Sequence, residues 1–240
     1  MAEAKSEEKR WRDLRKRFLS ALVLGPTALL CVWLGAELYT LLIAICIAIL
    51  TWEWVHLCGM RTRVFPGLGV PQQPALSLAL GVLYIGIAGL CLIELRHDNE
   101  AGRDNILFLL SAVWASDIGA YMAGRVFGGP RLWPQVSPNK TWSGSIGGLV
   151  FAMLVGALLT LVLAPGSMAR AAAVAAILAV ATQAGDLLES AIKRHFKVKD
   201  TSSLIPGHGG LLDRLDGLLA AAPVAALLAL GVGYGVPLWR

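Results

Sequence analysis

Between Ser190 and Asp216 the chain reads SAIKRHFKVKDTSSLIPGHGGLLDRLD, a polar stretch flanked by two strongly apolar segments. It carries Lys193, Arg194, Lys197, Lys199, Asp200, His208, Asp213, Arg214 and Asp216. Cations that can grip phosphates stand beside carboxylates that can hold a divalent metal. Gly207, Gly209 and Gly210 allow backbone to approach a ligand closely. The chemistry this suggests is a polyphosphate and its metal, handled at a membrane surface.

The carboxylates have helical spacing. In TQAGDLLESAIKRH, Asp186 and Glu189 are three apart, and Asp186, Ser190 and Lys193 fall at i, i+4 and i+7. All four can share one stripe of a helix. Lys193 and Arg194 also suit the negative end of that helix, which is their ordinary structural explanation. Asp213 and Asp216 are again three apart, at the start of the last apolar segment. One acid there would suffice to favour a helix N-terminus. Two on one face, answered by Asp186 from the neighbouring helix, fit a metal cage of Asp186, Asp213 and Asp216. Oxygen ligands and substrate phosphates suit Mg²⁺, and no second His or Cys stands at a zinc-ligand interval. His208, in PGHGG, is open between a turn residue and a ligand or proton-handling group.

A second polar patch precedes these. In PQVSPNKTWSGSIGG, residues 134–148, Ser137, Asn139, Lys140, Thr141 and Ser143 offer donors at a helix start that can receive phosphate oxygens. Ser-Pro-Asn also makes an ordinary turn and cap. Asp117 lies inside an apolar run with Tyr121 and Arg125 following on the same helical face. A charge at that depth costs about 3 kcal/mol even on mild insertion scales. It is either a structural ion pair or one wall of a polar cavity, and Asp186 makes a similar exception.

The elements that must position these groups are set by composition. Of 240 residues 56% are hydrophobic and only 15% charged, with mean hydropathy +0.65. A soluble domain carries roughly a quarter charged residues. Seven spans can be drawn, at 18–36, 38–58, 75–95, 105–127, 145–164, 170–191 and 217–237. Each is near the ~20 residues that cross a bilayer core. The fold class expected is therefore all-α, a polytopic membrane protein of about seven transmembrane helices. Its parts are a basic segment 1–17, an N-terminal transmembrane region 18–104, and a catalytic transmembrane region 105–240 with polar loops 128–144 and 192–216. The first 17 residues hold seven Lys and Arg, and the Lys/Arg bias puts both loops in the cytoplasm, where nucleotides are available. Cys31, Cys46, Cys58 and Cys91 all lie in apolar segments without C-x-x-C spacing and read as packed thiols.

Ser190-x-x-Lys193-Arg194, then Lys199-Asp200, then Pro206-Gly207-His208-Gly209-Gly210-x-x-Asp213-Arg214-x-Asp216 resembles the signature of the phosphatidate cytidylyltransferases, or CDP-diacylglycerol synthases. Ser137-Pro138-Asn139-Lys140-Thr141-Trp142 and Ser116-Asp117-x-x-Ala120-Tyr121 resemble the family's upstream motifs, so the likeness covers roughly residues 105–220. The resemblance implies a multi-pass enzyme of a bacterial inner membrane. Such an enzyme condenses CTP with phosphatidic acid to CDP-diacylglycerol and pyrophosphate, using Mg²⁺ and in some members a second, monovalent cation such as K⁺. It implies catalytic roles for Lys193, Arg194, Lys199, Asp200, His208 and Arg214, and metal binding by Asp186, Asp213 and Asp216. Substrate contacts are implied for Asp117, Ser137, Asn139, Lys140, Thr141, Ser190, Gly209 and Gly210. CTP and bilayer phosphatidic acid are the partners, with no nucleic acid and with a homodimer left open. A CTP-dependent lipid or polyprenol kinase shares nucleotide and metal but transfers the γ-phosphate. An ion or solute carrier would account for Asp117 and Asp186 but not for the dense Lys-Asp loop, and no internal repeat supports it.

Overall fold

A computed structural model of the chain describes residues 25–64, 74–98, 101–205 and 209–240. A short apolar helix α1 (Gly25–Leu34) leads into α2 (Ala36–Val64), and α3 (Pro74–His97) and α4 (Gly102–Phe127) follow. A small antiparallel hairpin, β1 (Arg131–Trp133) and β2 (Ser137–Thr141), precedes α5 (Trp142–Leu159), α6 (Met168–Phe196) and α7 (Leu212–Val232). Six of these helices, α2 to α7, are long and apolar enough to cross a membrane. Within the expected span at 18–36, the described part is helical over Gly25–Leu34 (α1). Residues 18–24 lie outside the described residues.

Helix termini follow their capping residues. Thr141 Oγ1 accepts the Gly144 N–H at 3.1 Å and starts α5. Ser167 starts α6 in the same way, and Lys197 ends it in a left-handed conformation (φ 55°) after Lys193, Arg194 and His195 in its last turn. Because α6 runs through those cations to Phe196 and α7 begins at Leu212, the polar loop is shorter than expected, 197–211 instead of 192–216. The loop 128–144 holds the hairpin, an element too short and polar to read from hydropathy.

The core is made where α4, α6 and α7 meet. Ile106, Phe108, Leu109, Leu178, Ala221 and Ala222 are fully or nearly fully buried there, with Trp239 of the C-terminal tail stacked on Phe108 at 4.5 Å. Outward positions such as Leu41, Leu83, Leu154 and Leu227 stay exposed, as side chains facing lipid must. One close crossing matters for the site. A Cβ on Gly185 of α6 would lie 2.6 Å from the Asp216 carbonyl oxygen and 2.5 Å from Ala220 Cβ, and one on Gly217 of α7 would lie 2.6 Å from Thr182 Cγ2. Only glycine at both places lets α6 and α7 approach this closely, and Asp186 and Asp216 stand next to those two glycines.

Candidate active site

Three acids come together at that crossing. Asp186 and Glu189 from α6 and Asp216 from α7 each present an oxygen within 4.8 Å of the other two. Glu189 is 5% exposed, and its Oε1 is buried without a hydrogen-bond partner among the described residues. Carboxylates this close repel one another unless a cation sits among them. Three hard oxygen donors, one of them buried and unsatisfied, fit a divalent ion such as Mg²⁺.

Asp213, expected in the metal set, has both carboxyl oxygens engaged by Lys193 and the loop. Its Oδ1 accepts from Lys193 Nζ at 3.0 Å, and its Oδ2 accepts from Thr201 N, Thr201 Oγ1 and Gly210 N at 2.9, 3.1 and 2.8 Å. Lys193 Nζ also reaches Glu189 Oε2 at 2.6 Å. Lys193 thus ties the loop-holding acid to an acid of the metal-capable cluster. Glu189 joins the cluster because i+3 on the long α6 projects it toward Asp186, while Asp213, on the first turn of α7, lies beside Glu189 and Lys193 with its Oδ2 turned to the loop.

The earlier polar patch packs against the same end of α6. Lys140 on β2 forms an ion pair with Asp186, and Arg194 Nε donates to the Val136 carbonyl at 3.3 Å. Asp117 on α4 is exposed and lies within electrostatic reach of Asp186 and Lys140. Its helical neighbours Tyr121 and Arg125 bond to each other at 3.0 Å. Ser137 and Asn139 lie on β2, where the Asn139 carbonyl accepts from Arg131, and Thr141 is occupied as the α5 cap. Ser190 is half-buried on α6 beside Glu189. Lys199 and Asp200 are exposed on the loop, Asp200 next to Gly209, whose φ of +83° requires glycine. Arg214 is exposed on α7, and His208 lies outside the described residues.

Beside the acids, α2, α3, α6 and α7 line a partly open cavity of about 510 Å³. Its walls include Trp54, Leu80, Tyr84 and Leu188, and the only acids among its described lining residues are Glu189 and Asp216. The carboxylate cluster therefore borders an apolar chamber through Glu189 and Asp216 and meets the cationic hairpin through Asp186.

Residues 70–230 match the sequence profile of the cytidylyltransferase family. The chain belongs to that family. Among its relatives is a phosphatidate cytidylyltransferase of Brucella suis, 38% identical over 94% of this chain and 96% of its own length. Proteins of the same name from Bacillus subtilis and Staphylococcus aureus are 40% and 41% identical over 61% and 62% of this chain, and 55% and 56% of theirs.

Within this cytidylyltransferase, two polar residues outside the expected set hold the site together. Gln183 of α6 donates to the Ser145 carbonyl at 3.0 Å and accepts from Ser145 Oγ, and its Nε2 reaches Ser116 Oγ at 3.4 Å, joining α4, α5 and α6 one turn before Asp186. Glu53 of α2 is completely buried against the 197–211 loop. Glu189 carried a sequence signal in its spacing from Asp186. Glu53 carried only that of an acid inside an apolar run.

Proposed function

We propose that this enzyme is a CTP:phosphatidate cytidylyltransferase, condensing CTP and phosphatidic acid to CDP-diacylglycerol and pyrophosphate. The observation that carries the reading is a carboxylate cluster suited to a divalent cation, bordering an apolar chamber and meeting the cationic hairpin. Phosphatidic acid would place acyl chains in the chamber with its phosphate at the acids. CTP would approach from the side of the hairpin and the 197–211 loop, which we assign to the cytoplasm.

Both substrates are anions, so charge must be neutralised before they meet. Asp186, Glu189 and Asp216 would hold Mg²⁺, which when bound supplies positive charge for the nucleotide phosphates. Exposed Arg194, Lys199 and Arg214 receive phosphate oxygens and the leaving pyrophosphate. Lys193, held between Glu189 and Asp213, fixes the acids and the loop relative to each other. Lys140 and Asp117 line the polar entry to Asp186. In the reaction a phosphate oxygen of the lipid forms a bond to the α-phosphorus of CTP, and the bond from that phosphorus to the bridging oxygen of pyrophosphate breaks. The nucleophile is already an anion near neutral pH, so no side chain need act as a strong base.

Purified protein incubated with phosphatidic acid vesicles, Mg²⁺ and CTP labelled in turn at the α- and γ-phosphate tests the reaction. The α-label enters lipid and the γ-label leaves as pyrophosphate. A γ-labelled lipid would make the enzyme a kinase instead.

A further inference from the structure

Glu53 is an acid in the middle of an apolar helix, far in sequence from every motif above, and it has no exposure at all. Its Oε1 accepts from Ser202 Oγ at 2.6 Å and from Leu211 N at 2.9 Å, and its Oε2 accepts from Leu212 N at 2.8 Å. Leu211 and Leu212 are the cap and first residue of α7, whose N–H groups have no partner within the helix and favour a negative charge. Ser202 belongs to the other end of the same loop. Gly210 fits between these groups only because it lacks a side chain: a Cβ there would lie 2.2 Å from Thr201 Oγ1 and 2.8 Å from Glu53 Oε1. Glu53 and Asp213 therefore grip the loop through separate donors. Asp213 takes Thr201 and Gly210, and Glu53 takes Ser202, Leu211 and Leu212.

A charged group buried inside a membrane-spanning helix is costly unless it is fully engaged. All of Glu53's hydrogen bonds among the described residues go to this loop and the α7 start, none to its own core. We infer that Glu53 is a positioning residue for the nucleotide-handling loop, anchoring it to the N-terminal helices so that Lys199, Asp200, Gly209 and Gly210 are held in place before substrate arrives. It touches no reacting atom. Without it the loop is ordered only when nucleotide binds, and that ordering weakens binding.

Glu53→Gln keeps the shape but sets an amide N–H against one of three donors. Limited trypsin digestion at exposed Lys197 and Lys199 reads loop opening without any substrate. Glu53→Gln is expected to speed that cleavage and to raise KM for CTP, each about tenfold, with kcat changed less and melting temperature within a few degrees of wild type. Glu53→Asp should fall between the two. Wild-type cleavage and KM in Glu53→Gln would overturn the inference, as would an equal loss of kcat and global stability with unchanged loop cleavage. Ser202→Ala, which removes one donor of three, decides the matter should Glu53→Gln fail to fold: cleavage about threefold faster supports it, and wild-type cleavage overturns it. The kinetic arm rests on the cytidylyltransferase reaction proposed above. Wild-type protein that made no CDP-lipid would strike that reaction and leave the protease arm intact.

Discussion

Lys193 sits where a single cation serves two acids, 2.6 Å from Glu189 and 3.0 Å from Asp213. Replacing it by Ala leaves both acids without it, Glu189 and Asp213 being almost fully buried (side chains 6% and 5% exposed). Removing one member of a buried pair costs on the order of 3 kcal/mol. Lys193→Ala is expected to lower kcat/KM for CTP about 100-fold or more, and Lys193→Arg to recover part of it because the charge is kept. Wild-type kinetics in Lys193→Ala would reduce the residue to a helix-end charge. At this scale the sequence was legible through spacing. The i, i+3 interval from Asp186 marks Glu189, and the same interval joins Asp213 to Asp216. Spacing does not say which way a first-turn acid points. Asp213 faces the loop because Thr201 and Gly210 offer it backbone and hydroxyl donors, and those contacts exist only once the loop has folded.

Helix α6 carries most of the site, and its contact with α7 depends on two glycines. In an open helix position Gly→Ala is stabilising by up to about 1 kcal/mol. At Gly185 or Gly217 the added methyl meets backbone and side chain of the facing helix at 2.5–2.6 Å, and overpacking of that kind costs roughly 1–3 kcal/mol. Gly185→Ala and Gly217→Ala are expected to lower the melting temperature and to cut activity about tenfold or more by parting Asp186 from Asp216. Gly231→Ala, near the end of α7 with nothing within 4 Å, should leave both at wild-type level. Thermal unfolding in detergent together with CTP incorporation checks all three. Loss of activity in Gly231→Ala equal to that in Gly185→Ala would detach the effect from the crossing. Hydropathy located α2 to α7, with ends displaced by up to 6 residues. It did not find the β1–β2 hairpin, whose strands are three and five residues long and pair only locally. Nor did it find the last turn of α6, where charge masks a helix that its own dipole favours.

Across the whole molecule, the two polar segments are one surface: the hairpin touches α6 through Lys140–Asp186 and Arg194–Val136. Their lying on one side of the membrane follows from two intervening crossings, α5 and α6, whatever α1 does. Cysteine probes at exposed Gln135 and Ser203, on a background lacking the native cysteines, are expected to label together from the cytoplasmic side, and a probe at exposed Pro165 from the other. Labelling of Gln135 and Ser203 from opposite sides would break the helix arrangement, and labelling of both from outside would remove access to cytosolic CTP. Ser202 is unsuitable as a probe because its hydroxyl is bonded to Glu53. That bond also shows what no local reading reaches. It joins residues 149 apart in sequence, and only the packed bundle brings an acid of α2 to the loop before α7.

Asp186, Glu189 and Asp216 are expected to hold the catalytic metal while Asp213 holds the loop. The Mg²⁺ dependence of CTP incorporation, measured for Asp186→Asn, Glu189→Gln, Asp216→Asn and Asp213→Asn, separates the two roles. Each substitution keeps shape and removes charge. The first three are expected to move the Mg²⁺ midpoint upward about tenfold or more, or to abolish turnover at any metal concentration. Asp213→Asn should lower turnover at a midpoint close to wild type. Wild-type midpoints and rates in Asp186→Asn, Glu189→Gln and Asp216→Asn, or a midpoint shift confined to Asp213→Asn, would contradict the account.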